Sequence, residues 1–592
     1  MRIPGQRTAW LKRLVSGELA IVGLVVCLLA PFLDKAVHID DPLFIWTAKH
    51  IIVNPANFYG FNVNWLIETN PMWYANLNPP LTSYYLAAVG KLAGWSEPAM
   101  HAGFLLWSAV FAVGCLHLAR FWCGQPLLAT LLAIFSPVFM VTASTLMCDI
   151  PMAALWTWAM VCWARGLGAI RGPRPALFWG NKGSETDFDN VDQAQRFGPQ
   201  KPGWLLAGAV LCGLAFLAKY TAVALLPLML LYGFVYRRKA GSWMLALLLP
   251  VAVMVAYETA THSMYGHAHF SLARHVSLSV GPSFGSPAKT RILMGLSFMG
   301  GCFLPVLFYA PFLWRTRGLI IGVFCCFGFA MVALVFNRLG DAEMVKDGHT
   351  QVGLLLQTAL LAATGLGVLI LCLEPMRRSK DPVSWVLAAW VVGIFFFGAA
   401  VNWTISARAF LPALPAAAIL MARRLEQPTL THRRWMAWPL VPAAVLALAI
   451  TWADFDLANS ARDAAVKIVS AYPPAQRPVW FLGHWGFQYY MQLAGANPID
   501  MQIMRVQKGD LLAVPWDNTG IRPPPADFVR DVSDFEMRPN KWLTTMKLSS
   551  GAGFYVAEAG PVPFAFGRID PERYSILEFT TFVIKDPESK SR

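Results

Sequence analysis

Charge is what this chain has least of. Of its 592 residues 14% are Asp, Glu, Lys or Arg and 56% are hydrophobic, with a mean hydropathy of +0.48. Soluble domains carry roughly a quarter charged residues, so a water-soluble globular fold is excluded for most of the length. Cysteine is also sparse: there are ten, none after Cys372 and no two in a CxxC spacing. Thiolate metal sites and dithiol redox chemistry therefore lack their ligands, and the last part of the chain carries no disulfide. One strand-to-helix glycine turn occurs, in "FLGHWGFQYY", and a single turn of that kind does not make a nucleotide site. The net charge of +14 raises nucleic acid as a partner. The basic residues, however, sit in short clusters between apolar runs, such as Arg237, Arg238 and Lys239, or Arg423 and Arg424. That is a membrane-topology pattern, and no nucleic-acid partner is expected.

What the chain does have is long apolar runs. About thirteen approach the roughly 20 residues that cross a bilayer: approximately 16–34, 98–119, 125–146, 150–167, 203–218, 220–236, 242–260, 291–314, 318–336, 351–373, 383–402, 406–422 and 435–452. With the N-terminus inside, the inner loops hold about 23 Lys and Arg and the outer membrane loops about 10, which the positive-inside rule requires. The first run lacks a convincing small-x-small cleavage site and reads as an uncleaved anchor. The expected protein is thus a polytopic α-helical protein of the cytoplasmic (inner) membrane, N-terminus cytoplasmic. Residues 1–452 form the membrane domain, with a first outer loop, 35–98, rich in interfacial helix patterns. Residues 453–592 are polar and Pro-punctuated, with short runs "PVWFLG", "DLLAVP" and "GFYVA" after a helical stretch "SARDAAVKIVSAY". They read as a small α/β domain on the periplasmic or extracellular side. The inner segment 171–202 reads as a flexible loop without catalytic residues.

The outer loops carry the informative residues. Asp40 and Asp41 stand side by side in "VHIDDPLFIW", just past the first span, and Asp149 stands in "TLMCDIPMAALW" between two others. Ionisable groups at such boundaries are costly to bury and are functional candidates, although Asp149 could equally cap the next span with Pro151 in its first turn. Lys219 and Arg408 are isolated cations at outer boundaries, suited to phosphate or to snorkelling. A loop, "THSMYGHAHFSLARHV", holds four His and Arg274; the His spacing fits no standard zinc site, and the segment reads as a mobile outer loop.

As an ordered set these motifs resemble the membrane-embedded GT-C glycosyltransferases, in particular the lipid A aminoarabinose transferase and protein O-mannosyltransferase branch. The matching residues are Asp40-Asp41 after the first span, then Asn78-Pro79-Pro80-Leu81 where the family has a basic residue before "PPL". Asp149-Ile150-Pro151, Lys219 in "GLAFLAKY" and Arg408 in "ARAFLPALP" complete the set. The resemblance covers most of 1–452. Two positions depart from it: Asn78 replaces the basic residue, removing a phosphate contact, and Asp41 stands where Glu is common, with shorter reach.

The resemblance implies transfer of a sugar, hexosyl or pentosyl, from a polyprenyl-phosphate donor to a glycan, lipid or protein acceptor at the outer face. The residue types fit that chemistry on their own. Asp40 would deprotonate or orient the acceptor, and Lys219, Arg408 and Arg274 would hold the donor phosphate. Asn78, Pro79 and Pro80 would line the substrate loop. Asp41 and Asp149 would position the acceptor or hold a divalent metal, the one cofactor the carboxylates suggest. The competing class is a transporter or flippase of lipid-linked sugars, which predicts mid-bilayer charges and internal symmetry. The charges here gather at one face instead, and no repeat is evident. A mere anchor for the tail would need neither the many spans nor the acidic pair.

Overall fold

The computed structural model describes residues 4–65, 67–168, 199–280, 288–378, 382–426, 436–517, 524–581 and 583–585. The expected inner loop 171–202 lies almost wholly outside the described residues. Every apolar run falls on helix. Among the described residues seven helices are long and apolar enough to cross a membrane, Glu97–Trp122, Tyr220–Arg237, Ser242–Tyr265, Thr316–Phe336, Val352–Leu373, Val383–Val401 and Leu440–Ala471. The pair Pro126–Ile134 and Pro137–Ala143, bent by 60°, makes an eighth if it is one span. Its bend has a local cause: Pro137 starts the second helix and forces Ser136 into extended backbone. Thirteen crossings would require the shorter or less apolar helices, such as Pro202–Ala218 and Asp149–Gly166, to cross as well.

Small residues set how these helices meet, because lipid supplies no hydrophobic drive between them. A Cβ built on Gly300 would lie 1.9 Å from the Leu361 carbonyl oxygen, and one on Gly365 would lie 2.0 Å from that of Leu296. Helices Ala288–Cys302 and Val352–Arg378 therefore touch backbone to backbone. A second crossing positions the site. Gly208, in Pro202–Ala218, packs on the backbone of Ala159 and Trp163 in Asp149–Gly166, with 3.2 Å from its hypothetical Cβ to the Ala159 oxygen. At a rise of about 1.5 Å per residue, both Asp149 and Lys219 lie about 15 Å from that crossing. The antiparallel pair thus brings them level.

On the expected outer side the first loop contributes helices Asp41–Val53 and Leu81–Ala93 and a hairpin pairing Asn62–Trp65 with Glu68–Pro71. The tail builds a five-stranded mixed sheet in the order Val529–Met537, Glu572–Phe579, Leu511–Pro515, Val479–Phe481, Asn497–Pro498. The last three strands are parallel to one another, and Glu572–Phe579 runs antiparallel between its neighbours. The runs "PVWFLG" and "DLLAVP" are strands of this sheet. "GFYVA" is not: Phe554, Tyr555 and Val556 lie outside the strands, with the Phe554 carbonyl accepting the Ala407 N–H and the Tyr555 ring facing Arg408. No chain break marks the compositional change at Trp452, because the expected separate tail helix is the end of the continuous 32-residue helix Leu440–Ala471.

The glycine turn in "FLGHWGFQYY" has a docking role. Gly483, at φ 105°, ends the strand, and helix Trp485–Leu493 begins two residues later. A Cβ on Gly486 would fall 1.9 Å from the Val37 carbonyl oxygen, and the Val37 N–H donates to the Tyr490 hydroxyl at 2.8 Å. The helix therefore sits on the first loop just before Asp40. Gly486→Ala must displace that backbone and is expected to cost about 1–3 kcal/mol as an overpacking change. Thermal melting of the purified variant checks this; an unchanged melting temperature would reject the close approach.

Candidate functional site

Asp40, Asp149, Lys219 and Arg408 converge in an alternating row of charges. Arg408 Nη2 donates to Asp40 Oδ2 at 3.2 Å, and Arg408 Nη1 lies 3.6 Å from Asp149 Oδ2. On the other side, Lys219 Nζ donates to Asp149 Oδ1 at 2.6 Å. Two carboxylates and two cations leave the row formally neutral. The Asp149 side chain is fully buried, those of Lys219 and Arg408 are 17% and 13% exposed, and Asp40 reaches solvent with 34%. In so dry a setting, losing Asp149 would strand the charges of Lys219 and Arg408.

Local backbone explains each placement. Lys219 interrupts two helices, in extended conformation between Pro202–Ala218 and the 3₁₀ turn Tyr220–Ala224. Asp149 opens its helix, where the positive end of the dipole favours a carboxylate. Its side chain spans two cations, so it is more than a helix cap. Arg408 lies in the 3₁₀ segment Ala407–Ala413, which contains Pro412. The preceding chain leaves helix Pro382–Phe396 through a π turn, Phe397–Val401. The Arg291 guanidinium donates to the carbonyls of Ala399, Asn402 and Trp403 at 3.0, 2.5 and 3.3 Å, taking the orphan acceptors of that helix end.

The adjacent acids divide their roles. Asp40 occupies the N-cap position of Asp41–Val53 and directs its side chain to Arg408. Asp41 faces inward, accepting the His38 N–H at 3.0 Å and the Leu146 N–H at 2.9 Å, so it ties the first outer loop to the turn before Asp149. Between His38 and this pair Ile39 adopts φ 47°, unusual for a β-branched residue, and the Asp41 clamp holds it there. Burial pushes the Asp41 carboxyl up to about 7, against the two backbone N–H groups and Lys35, which pull it down. A folded pKa above the unfolded value means that this group's contribution to stability declines as pH rises from about 4 to about 7. The stability advantage of the wild type over Asp41→Asn should therefore shrink between pH 5 and pH 7 in parallel melting curves; a growing advantage would reject the assignment.

A second buried network lies beneath. Lys35 Nζ contacts Asp454 Oδ2 at 2.5 Å and the Ser144 hydroxyl at 3.1 Å, with Lys35 and Asp454 both fully buried. Asp454 also accepts from the Thr545 hydroxyl at 2.5 Å and the Tyr555 hydroxyl at 2.8 Å. Sequence reasoning missed all of these. One signal was available: an acid inside the apolar stretch "AITWADFDLA", which burial makes expensive.

Other sequence candidates lie apart from the row. Asn78 makes no hydrogen bond to it among the described residues, and the proline rings have no N–H to offer. The Asn78 carbonyl accepts from the Tyr59 hydroxyl, and Pro80 starts helix Leu81–Ala93. Arg274 is exposed on helix His269–Val280, with no partner among the described residues. The segment around it, expected as a loop, forms a helical corner. Gly266, at φ 75°, ends one helix, and Glu258 caps the next by accepting the Phe270 and Ser271 N–H groups at 2.6 and 3.1 Å. His269 fixes the corner to the first loop, accepting or donating at 2.6 Å to the Tyr257 hydroxyl and donating through Nε2 to the Trp73 and Asn76 carbonyls, each at 3.1 Å.

The suggested metal does not fit Asp41 and Asp149. The first spends its oxygens on backbone N–H groups and the second faces Lys219 and Arg408. No group of three or more His, Cys, Asp or Glu suited to a metal occurs among the described residues.

No protein-family model and no curated protein matches the chain. Among solved structures it is similar to ArnT from Cupriavidus metallidurans bound to undecaprenyl phosphate, with 15% identity and a TM-score of 0.42 over 86% of this chain and 93% of that one. It is also similar to the archaeal oligosaccharyltransferase AglB from Archaeoglobus fulgidus in complex with an inhibitory peptide and a dolichol-phosphate, with 12% identity and a TM-score of 0.46 over 81% of this chain and 64% of that one.

Proposed function

We propose that this chain is an integral membrane glycosyltransferase that moves a hexosyl or pentosyl group from a polyprenyl-phosphate donor to a hydroxyl of a glycan, lipid or protein acceptor. The reaction takes place on the outer face of the cytoplasmic membrane, with the tail on that side. The observation that carries this reading is the row Asp40, Arg408, Asp149, Lys219, assembled from four separate parts of the chain. Lys219 and Arg408 supply fixed positive charge for a phosphate, and Arg408 offers the bidentate fork that phosphate oxygens accept. Asp149 holds both cations in place. When a donor phosphate takes the guanidinium, Asp40 is released from its pair and becomes the acceptor's base.

The acceptor oxygen then attacks the anomeric carbon and its proton passes to Asp40. The bond from that carbon to the phosphate oxygen breaks, and polyprenyl phosphate leaves with its charge stabilised by Lys219 and Arg408. No metal enters these steps. Incubating the purified full chain with a panel of polyprenyl-phosphate sugars and acceptors, with mass spectrometry of products, tests the reading. A glycosylated product is expected. Movement of intact donor between leaflets with no product would favour the flippase alternative. Arg408→Ala should lower transfer by roughly 10–10³-fold by removing a transition-state cation, and wild-type rates in that variant would count against the phosphate assignment.

A further inference from the structure

We infer that Tyr555, contributed by the tail, is a positioning residue that holds Arg408 in its phosphate-binding orientation, so the donor site is incomplete without the C-terminal region. The inference rests on the reading of Arg408 as a donor-phosphate ligand.

Three observations carry it. The Arg408 guanidinium carbon stands 5.2 Å from the centre of the Tyr555 ring, within range of a cation–π contact, and both side chains are largely buried. The ring is itself fixed, because its hydroxyl donates at 2.8 Å to Asp454, which Lys35 and Thr545 hold from other directions. The same tail segment is pinned to the Arg408 loop by main chain: the Ala407 N–H donates to the Phe554 carbonyl at 2.8 Å and the Ala557 N–H to the Ile405 carbonyl at 2.9 Å. The Thr404 hydroxyl adds a 2.5 Å bond to Glu558. An arginine that must exchange carboxylate partners for a phosphate needs a support that does not compete for its N–H groups. An aromatic face provides this, since it attracts the cation and leaves the five donors free.

The test measures binding of undecaprenyl phosphate to the full-length protein in lipid nanodiscs. Tyr555→Leu should weaken binding roughly 3- to 30-fold, the range of a partly to fully desolvated cation–π contact, and Tyr555→Phe should restore it to within about threefold. Tyr555→Met, equally ringless, replaces the leucine variant if that variant does not fold. Lys547→Met breaks the buried tail pair with Glu572, 2.8 Å apart and outside the Arg408, Tyr555 and Asp454 set, so it should lower the melting temperature and leave lipid affinity near wild type. In an Arg408→Ala background Tyr555→Leu should add no further loss. Additive losses, failure of phenylalanine to rescue, or an equal affinity loss in Lys547→Met would overturn the inference. If Arg408→Ala alone binds the lipid as tightly as the wild type, the phosphate reading of Arg408 fails instead, and the inference falls with it.

Discussion

Asp40→Asn is expected to lower sugar transfer by about 10²–10⁴-fold, the typical effect of losing a general base, while membrane insertion and abundance stay close to wild type. The substitution keeps the shape of the side chain and removes the charge that accepts the proton. Its structural cost should be small. Asp40 is the most solvent-exposed member of the row, and a partly exposed ion pair such as its 3.2 Å contact with Arg408 contributes only a fraction of what a buried one does. The neighbouring Asp41→Asn provides the contrast. Asp41 is a buried clamp between two loops, so its loss should appear mainly in melting temperature and only secondarily in turnover. Rates and melting curves for the two variants, measured on the donor and acceptor found in the product screen, separate the roles. Wild-type turnover in Asp40→Asn would remove the catalytic assignment, and a reversed pattern would move it to Asp41.

The second large effect concerns Lys35 and Asp454. Their contact at 2.5 Å is fully buried, and removing one partner of such a pair typically costs about 3–5 kcal/mol, because the other charge is left without compensation. In Lys35→Met the Asp454 carboxylate would keep the His38 ring nitrogen, 3.9 Å away, and two hydrogen bonds, from the hydroxyls of Thr545 and Tyr555. Both belong to the tail, so loosening this node should also loosen the tail from the membrane domain. The expected result is a markedly lower melting temperature and faster proteolysis of the region after Ala471. Lys35→Met combined with Asp454→Leu should recover much of the loss, since replacing both charges by apolar groups removes the stranded one. Lys35→Met melting like the wild type would show that the pair does not anchor the tail.

Much of the architecture was legible in the residues because bilayer burial writes long apolar runs into a sequence, and each of those runs is helical. The carboxylates and cations were legible for the same reason: an ionisable group at the edge of an apolar run stands out. Four of them, Asp40, Asp149, Lys219 and Arg408, do meet. The reading went astray where the deciding contacts are distant in the chain. "GFYVA" has the alternation of a strand, yet it forms no part of the five-stranded sheet, and the Phe554 carbonyl and Ala557 N–H bond to the Arg408 loop. The histidine-rich segment looked like an open loop, yet Glu258 and His269 fold it into a helical corner.

Composition and pattern alone therefore determined that this chain is rich in long apolar helices, with a polar α/β tail and a set of charges at the edges of its apolar runs. Tertiary structure decided which of those charges touch and what each does. Asp40 and Asp41 are neighbours with the same side chain, and only the course of the backbone into the following helix sends one to Arg408 and the other to buried N–H groups. Lys35 meets Asp454 across a sequence separation of 419 residues, and Asp149 meets Lys219 because a glycine lets two helices approach closely enough to bring their ends level. Local propensity acts over a few residues, whereas these ion pairs depend on packing between segments that no local pattern relates.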